Sequence, residues 1–162
     1  MSIEDSRPPR PHDAVPDAAD RTEFAGRSLL CIVAHPDDES LACGGLLAWC
    51  AALGVKVSVL CLTRGEHGPG GEPGEELGAV RVSELLAACN ALRVSSVTVL
   101  DHADGMLPWV DAWQIERDIE DIIAQANPDI VLTFDEDGLY WHPDHIAVHE
   151  RTTQVVARLG SR

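Results

Sequence analysis

From Ser28 onward, short apolar runs alternate with longer stretches in which apolar residues recur every three or four positions. The runs at 29–34, 55–62, 97–100 and 130–134 show little polar alternation, as expected of strands covered on both faces. The stretches 41–53, 77–92, 111–126 and 143–159 carry helical periodicity. Gly54 follows the first of these as a helix stop, and Pro128 helps end the third. Strand and helix in strict alternation predict βαβ units and a parallel sheet with helices on both faces, a Rossmann-like α/β fold.

Two segments lie outside this rhythm. Residues 1–27 are rich in Pro, Asp and Arg without apolar periodicity, which predicts a disordered N-terminal tail ahead of one domain at 28–162. Residues 63–76 (TRGEHGPGGEPGEE) form a long, acidic, Gly-rich loop, read either as a solvated connection or as a lid over a pocket.

Composition narrows the partners. With 12 Lys+Arg against 27 Asp+Glu the net charge is −15, so the basic footprint for nucleic acid or anionic membrane is missing. No apolar run approaches the roughly 20 residues of a spanning helix, and no signal-peptide pattern opens the chain. Five cysteines without CxxC pairing suit a reducing cytoplasm. Self-association into a homo-oligomer is compatible with all of this.

Chemistry concentrates at two strand-to-helix junctions. The first strand runs into AHPDDE (34–39), and the polar segment after the fourth leads to HPDH (142–145). Helix capping accounts for one or two of Asp37, Asp38 and Glu39, and Pro143 with Asp144 suits a helix start, but neither explains the histidines. Ligands in open α/β sheets bind outside the carboxyl ends of strands, so the first and fourth strands are expected side by side. Together the clusters offer two imidazoles and a carboxylate, the donor set of a catalytic metal site with open positions. The same set serves two-His-one-carboxylate iron enzymes, although those characteristically use β-rich folds.

These motifs resemble the PIG-L or LmbE-like de-N-acetylases, in which (A/P)HPDDE and HPDH both follow strands of a Rossmann-like sheet; the likeness runs from residue 29 to about 158. It implies zinc, or another divalent metal such as Fe²⁺, held by His35, Asp38 and His145. It further implies that Asp37 is the general base, that His142 stabilises the oxyanion, and that Asp144 orients His142. Arg81, with Glu84 on the same helix face, and Asp104 are the implied substrate contacts. The implied reaction is hydrolysis of an N-acyl, most simply N-acetyl, bond on a small amino-sugar molecule. Family members continue well past the HPDH helix, so a truncated member that binds metal without turnover is the non-enzymatic alternative.

Three further residues attract attention. His149 is four positions after His145 and is expected as a partly exposed helix histidine. Trp141 suits either a sugar-stacking wall or a core aromatic. Cys43, with no base nearby in sequence, is expected to pack.

Overall fold

The apolar run that opens at Ser28 becomes a central strand because neighbours cover it on both edges and both faces. A computed structural model describes residues 23–160. In it, β1 (Ser28–Val33), β2 (Lys56–Thr63), β3 (Ser96–His102) and β4 (Ile130–Leu132) form one parallel sheet in the order β3-β2-β1-β4. Burial follows rank within the sheet. Leu30 to Val33 and Val57 to Thr63 are buried, whereas the outer strands β3 and β4 are half-covered.

Helices α1 (Asp38–Ala52), α2 (Glu75–Ala91) and α3 (Ala112–Ala126) make the crossovers, and α4 (Pro143–Gly160) follows the last strand. The first two crossovers step outward from β1 to β3; the third returns past β1 to place β4 on its other side. With right-handed crossovers, reversing that direction puts helices on both faces of the sheet. The reversal also creates a crevice between the carboxyl ends of β1 and β4, as expected from the sequence. Leu30 and Ile32 of β1, Leu60 and Leu62 of β2, Leu47 of α1, Leu85 of α2 and Ile119 of α3 meet in one core cluster.

Several boundaries move. Helix α1 starts at Asp38, three residues before the apolar periodicity, so Asp38 and Glu39 occupy its first turn. Gly54 follows the helix with φ +84, the left-handed stop its sequence position suggests. Ordered pairing begins ahead of residue 28, since Gly26 N–H donates to Gly54 O and Lys56 N–H to Arg27 O. The remainder of the expected tail, 1–22, lies outside the described residues. Two short elements carry no periodic signal: a 3₁₀ turn at Leu107–Trp109 and an irregular turn at Gly138–Trp141, where Gly138, Leu139 and Trp141 all have positive φ. No helix among the described residues is long and apolar enough to cross a membrane.

Candidate active site

The end of β1 is locked to β2 before the first motif begins: Ala34 O accepts bonds from both the Thr63 amide and its hydroxyl, each at 3.0 Å. The AHPDDE turn then separates its carboxylates by function. Asp38 Oδ2 accepts the His35 amide at 2.8 Å. Glu39, fully buried, reaches back to accept the Asp37 amide at 3.1 Å. Asp37 occupies the N-cap position, yet its side chain makes no capping bond, and its φ of 112 lies in the left-handed region. Such a backbone costs about 1–3 kcal/mol in a non-glycine residue. Capping therefore does not explain Asp37.

The second motif is built around Gly138. Its φ is +59, and a Cβ there would stand 3.0 Å from both His145 Cβ and Ile146 Cγ1, so only glycine lets this turn close on α4. Gly138 O lies 3.1 Å from His145 Nδ1, and because a carbonyl only accepts, Nδ1 carries a proton and Nε2 is the nitrogen turned to the crevice. Phe134 stacks on the same ring at 4.0 Å, nearly parallel. The orientation of His145 is thus set from two sides.

At the crevice, Nε2 of His145 faces Asp38 Oδ1 at 3.2 Å and His35 Nδ1 at 3.3 Å, while His35 Nδ1 lies 3.4 Å from Asp38 Oδ2. All three residues are buried. Zinc bonds of about 2.0–2.1 Å in tetrahedral geometry require donor separations near 3.3 Å. Asp38 contributes Oδ1 to one of these contacts and Oδ2 to the other, so the two imidazole nitrogens and the carboxylate lie at separations a metal ion could bridge. His142 stands beside it, with its ring 4.9 Å from that of His35 and 4.6 Å from that of His145. Two overlapping ligand-capable groups centre on His35, one with His142 and His145, the other with Asp104 and Asp144.

The far side of His35 holds two of the expected site residues. Asp144 was expected behind His142; its carboxylate instead meets His35 Nε2 at 3.0 Å and accepts the amides of Gly105 and Leu107. Asp144 reaches His142 only through its own amide, which donates to His142 Nδ1 at 3.2 Å. Asp104, expected at the substrate, is buried with Oδ1 3.2 Å from His35 Nε2 and Oδ2 on the His67 amide. Burial disfavours the His35 cation, yet bonds to Asp104, Asp144 and Asp38 push its pKa up to about 11. For Asp104, burial is likewise outweighed, by His35 and the His67 amide, and its pKa falls to about 2. His142 is shifted the other way: burial and the neighbouring His35 and His145 hold it below the ordinary imidazole value.

Arg81, expected to contact substrate, is 8% exposed, and its guanidinium donates to Gly65 O, Pro36 O and Asp37 Oδ2. It lines a cleft of about 270 Å³ with Asp37, Leu41, Pro69 and Glu84. Burial raises the Asp37 pKa, and the charge of Arg81 works against that rise. The loop 63–76 is tethered in its first half: His67 N–H and Asp104 N–H exchange bonds with Asp104 Oδ2 and Glu66 Oε1. A freely moving lid does not describe those residues.

Of the remaining candidates, His149 donates to or accepts nothing from His35, Asp38 or His145; its Nδ1 lies 2.8 Å from Phe134 O. Trp141 is 74% exposed, which rules out a core aromatic. Cys43 packs with its sulfur 3.7 Å from that of Cys31, as expected. Sequence reasoning missed the buried bracing carboxylate Glu39 and the Tyr140 ring 5.2 Å from His145. For Glu39 the signal was present, since an acid two residues after a strained turn can reach back to its amide.

The 1D-myo-inositol 2-acetamido-2-deoxy-alpha-D-glucopyranoside deacetylase of Acidothermus cellulolyticus is 38% identical over 155 residues, covering 80% of this chain and 53% of that protein. The chain spans about half the length of the curated relatives it matches. Among solved structures, the N,N'-diacetylchitobiose deacetylase of Pyrococcus horikoshii superposes with a TM-score of 0.76 at 30% identity, over 87% of this chain and 53% of that one. The 4-carboxy-2-hydroxymuconate hydratase of Pseudomonas putida KT2440 shares the fold with a TM-score of 0.64 at 26% identity, over 80% and 55% of the two chains. A family model described as PIG-L, GlcNAc-PI de-N-acetylase, matches residues 30–156 and so runs through both histidine motifs, and the chain belongs to that family.

Proposed function

We propose that this chain hydrolyses an N-acetyl bond on an amino-sugar-type small molecule, using a divalent metal, taken to be zinc, held by His35, Asp38 and His145. The observation that carries the reading is the 3.2–3.4 Å spacing among His35 Nδ1, His145 Nε2 and the two carboxylate oxygens of Asp38, with Asp37 adjacent in the chain and outside that cluster. When bound there, the metal supplies Lewis-acid polarisation of the acyl oxygen and lowers the pKa of an attacking water.

The protein groups do the rest. Asp37, with its side chain half exposed, accepts the proton of the attacking water and returns it to the leaving amine. His142 accepts the Asp144 amide at Nδ1, which places its proton on Nε2 and makes a neutral imidazole the hydrogen-bond donor to the developing oxyanion. Asp104 and Asp144 hold the His35 ring from behind, which fixes Nδ1 toward Asp38 and His145. Both the names of the deacetylase relatives and the preserved motifs support the substrate class. A cytoplasmic location is supported by five free cysteines, three of them buried.

The zinc-loaded chain, assayed with an N-acetylglucosaminyl glycoside, is expected to release primary amine and acetate. Asp37→Asn should keep the metal and lose about 10²- to 10⁴-fold in turnover. His145→Ala should lose the metal itself. Metal bound without amine release supports the non-catalytic reading, and water addition to an unsaturated acid without amide cleavage supports hydratase chemistry of the kind named for the Pseudomonas putida structure.

A further inference from the structure

We propose that Cys31 and Cys43 form an oxidisable dithiol site that closes to a disulfide across the AHPDDE turn when a hydroperoxide reaches it. Their sulfurs lie 3.7 Å apart, and no other pair of cysteines is hydrogen-bonded among the described residues. Cys31 is buried in β1, and Cys43 is half-buried in the second turn of α1. A cavity of about 140 Å³ is lined by both residues together with Leu132, Phe134 and Leu139. Space of that size admits a molecule as small as a peroxide, since a water takes up about 30 Å³ of the liquid.

The two thiols are unequal. With the Cys31 S–H as donor, their bond holds the Cys43 thiol below its ordinary value, against the effect of burial, and pushes the buried Cys31 thiol far up. Cys43 is therefore the thiolate that attacks, and Cys31 the thiol that resolves. In the first step Cys43 Sγ takes one oxygen of the hydroperoxide and the O–O bond breaks. The alcohol, or water from hydrogen peroxide, leaves with the proton that Cys43 gave up. In the second step Cys31 Sγ attacks the sulfenic sulfur, the S–S bond forms, and the hydroxyl leaves with the Cys31 proton as water. Two thiols lose two electrons, and the peroxide gains the same two.

Placement gives the bond its consequence. The cross-link closes residues 31–43 into a ring that contains the whole AHPDDE segment at 34–39. A disulfide holds its sulfurs about 2.0 Å apart, so the two must approach from 3.7 Å. Strand β1 is paired on both edges, to β2 and β4, so α1 is the element that yields. Its first turn carries Asp38 and Glu39. Glu39 O accepts the Cys43 thiol at 3.4 Å, while the Glu39 carboxylate accepts the Asp37 amide. Oxidation removes that thiol donor and draws the turn toward the sheet, which moves the Asp38 carboxylate relative to His35 and His145.

The test treats the full chain with one equivalent of hydrogen peroxide, blocks the remaining thiols and maps peptides by mass spectrometry. Loss of two hydrogens and a peptide joining Cys31 to Cys43 are expected, both reversed by dithiothreitol. Amide resonances of residues 35–39 should shift on oxidation and return on reduction. Cys50→Ser removes the other half-buried thiol and should leave these results unchanged, whereas Cys43→Ser should abolish them. An activity arm alone rests on the hydrolase reading. Zinc-loaded protein acting on an N-acetylglucosaminyl glycoside should lose about tenfold or more in turnover as the cross-link forms. Cys43→Ser should keep wild-type turnover with or without peroxide. First oxidation at Cys50, sulfinic acid at Cys43 with Cys31 still free, or amides 35–39 that stay in place would overturn the proposal, as would unchanged turnover of fully cross-linked protein. A reduced chain without turnover would refute the hydrolase reading instead, and the cross-link and amide readouts would still decide this one.

Discussion

His35 has the Asp104 and Asp144 carboxylates at Nε2 and Asp38 and His145 at Nδ1. Without metal its pKa is pushed up to about 11, above the value of about 6.5 expected in an unfolded chain. The sign follows. The imidazolium's carboxylate bonds stabilise the metal-free fold fully below pH 6.5, and that contribution fades as the pH climbs toward the folded value. A metal ligand must be neutral at the donating nitrogen, so in the proposed metal-bound state loading at pH 7 would expel the proton from Nδ1 while Nε2–H stays on Asp144 and Asp104. Calorimetric zinc titrations in buffers of different ionisation enthalpy should report release of close to one proton. Heats independent of the buffer would show that His35 is already neutral. Residue types at this site were readable from AHPDDE and HPDH, but their division of labour was not. Asp144 stands behind His35 because the start of α4 faces the Gly105–Leu107 turn, a contact with no local signature.

Element boundaries were legible where a local backbone rule operates. Helix α4 begins at Pro143, as the fixed φ of proline at a first helical position predicts. Helix α3 ends at Ala126, as its expected span has it, and a second rule besides Pro128 operates there: Asn127 is its C-cap with φ 43 and ψ 58, and its amide bonds to Ile123 O. Asparagine tolerates this left-handed conformation, and alanine does not. Asn127→Ala should therefore destabilise by about 1 kcal/mol, and Asn127→Gly should be neutral or slightly stabilising. Urea unfolding compares the two, and equal midpoints would show that the left-handed cap carries no strain. The first turn of α1 lay beyond the periodicity, because Asp38 and Glu39 are buried by the site and by the turn rather than by the apolar core.

For the whole molecule, a net charge of −15 and an unbroken α/β alternation set the limits. The acidic surface should give no retention on immobilised DNA even at low salt, and salt-sensitive retention would reveal a basic patch that the fold assembles. The reversal of strand order decides where chemistry sits. It brings β4 beside β1 and sets residues 109 or more positions apart in hydrogen-bonding distance, as with His35 and Asp144 or His35 and His145.

By itself, the sequence determined the fold class, the four strands and four main helices, and the two motifs that hold the candidate metal-binding residues. These follow from periodicity, caps and residue type, all of which act over a few neighbouring positions. Only the tertiary structure decided that Arg81 clamps the Asp37 turn, that Asp104 and Asp144 share one imidazole nitrogen, and that the first half of loop 63–76 is tethered. Each of those is a contact between groups far apart in the chain. Hydrogen-bond geometry there depends on how the crossovers bring loops together, which no local pattern encodes.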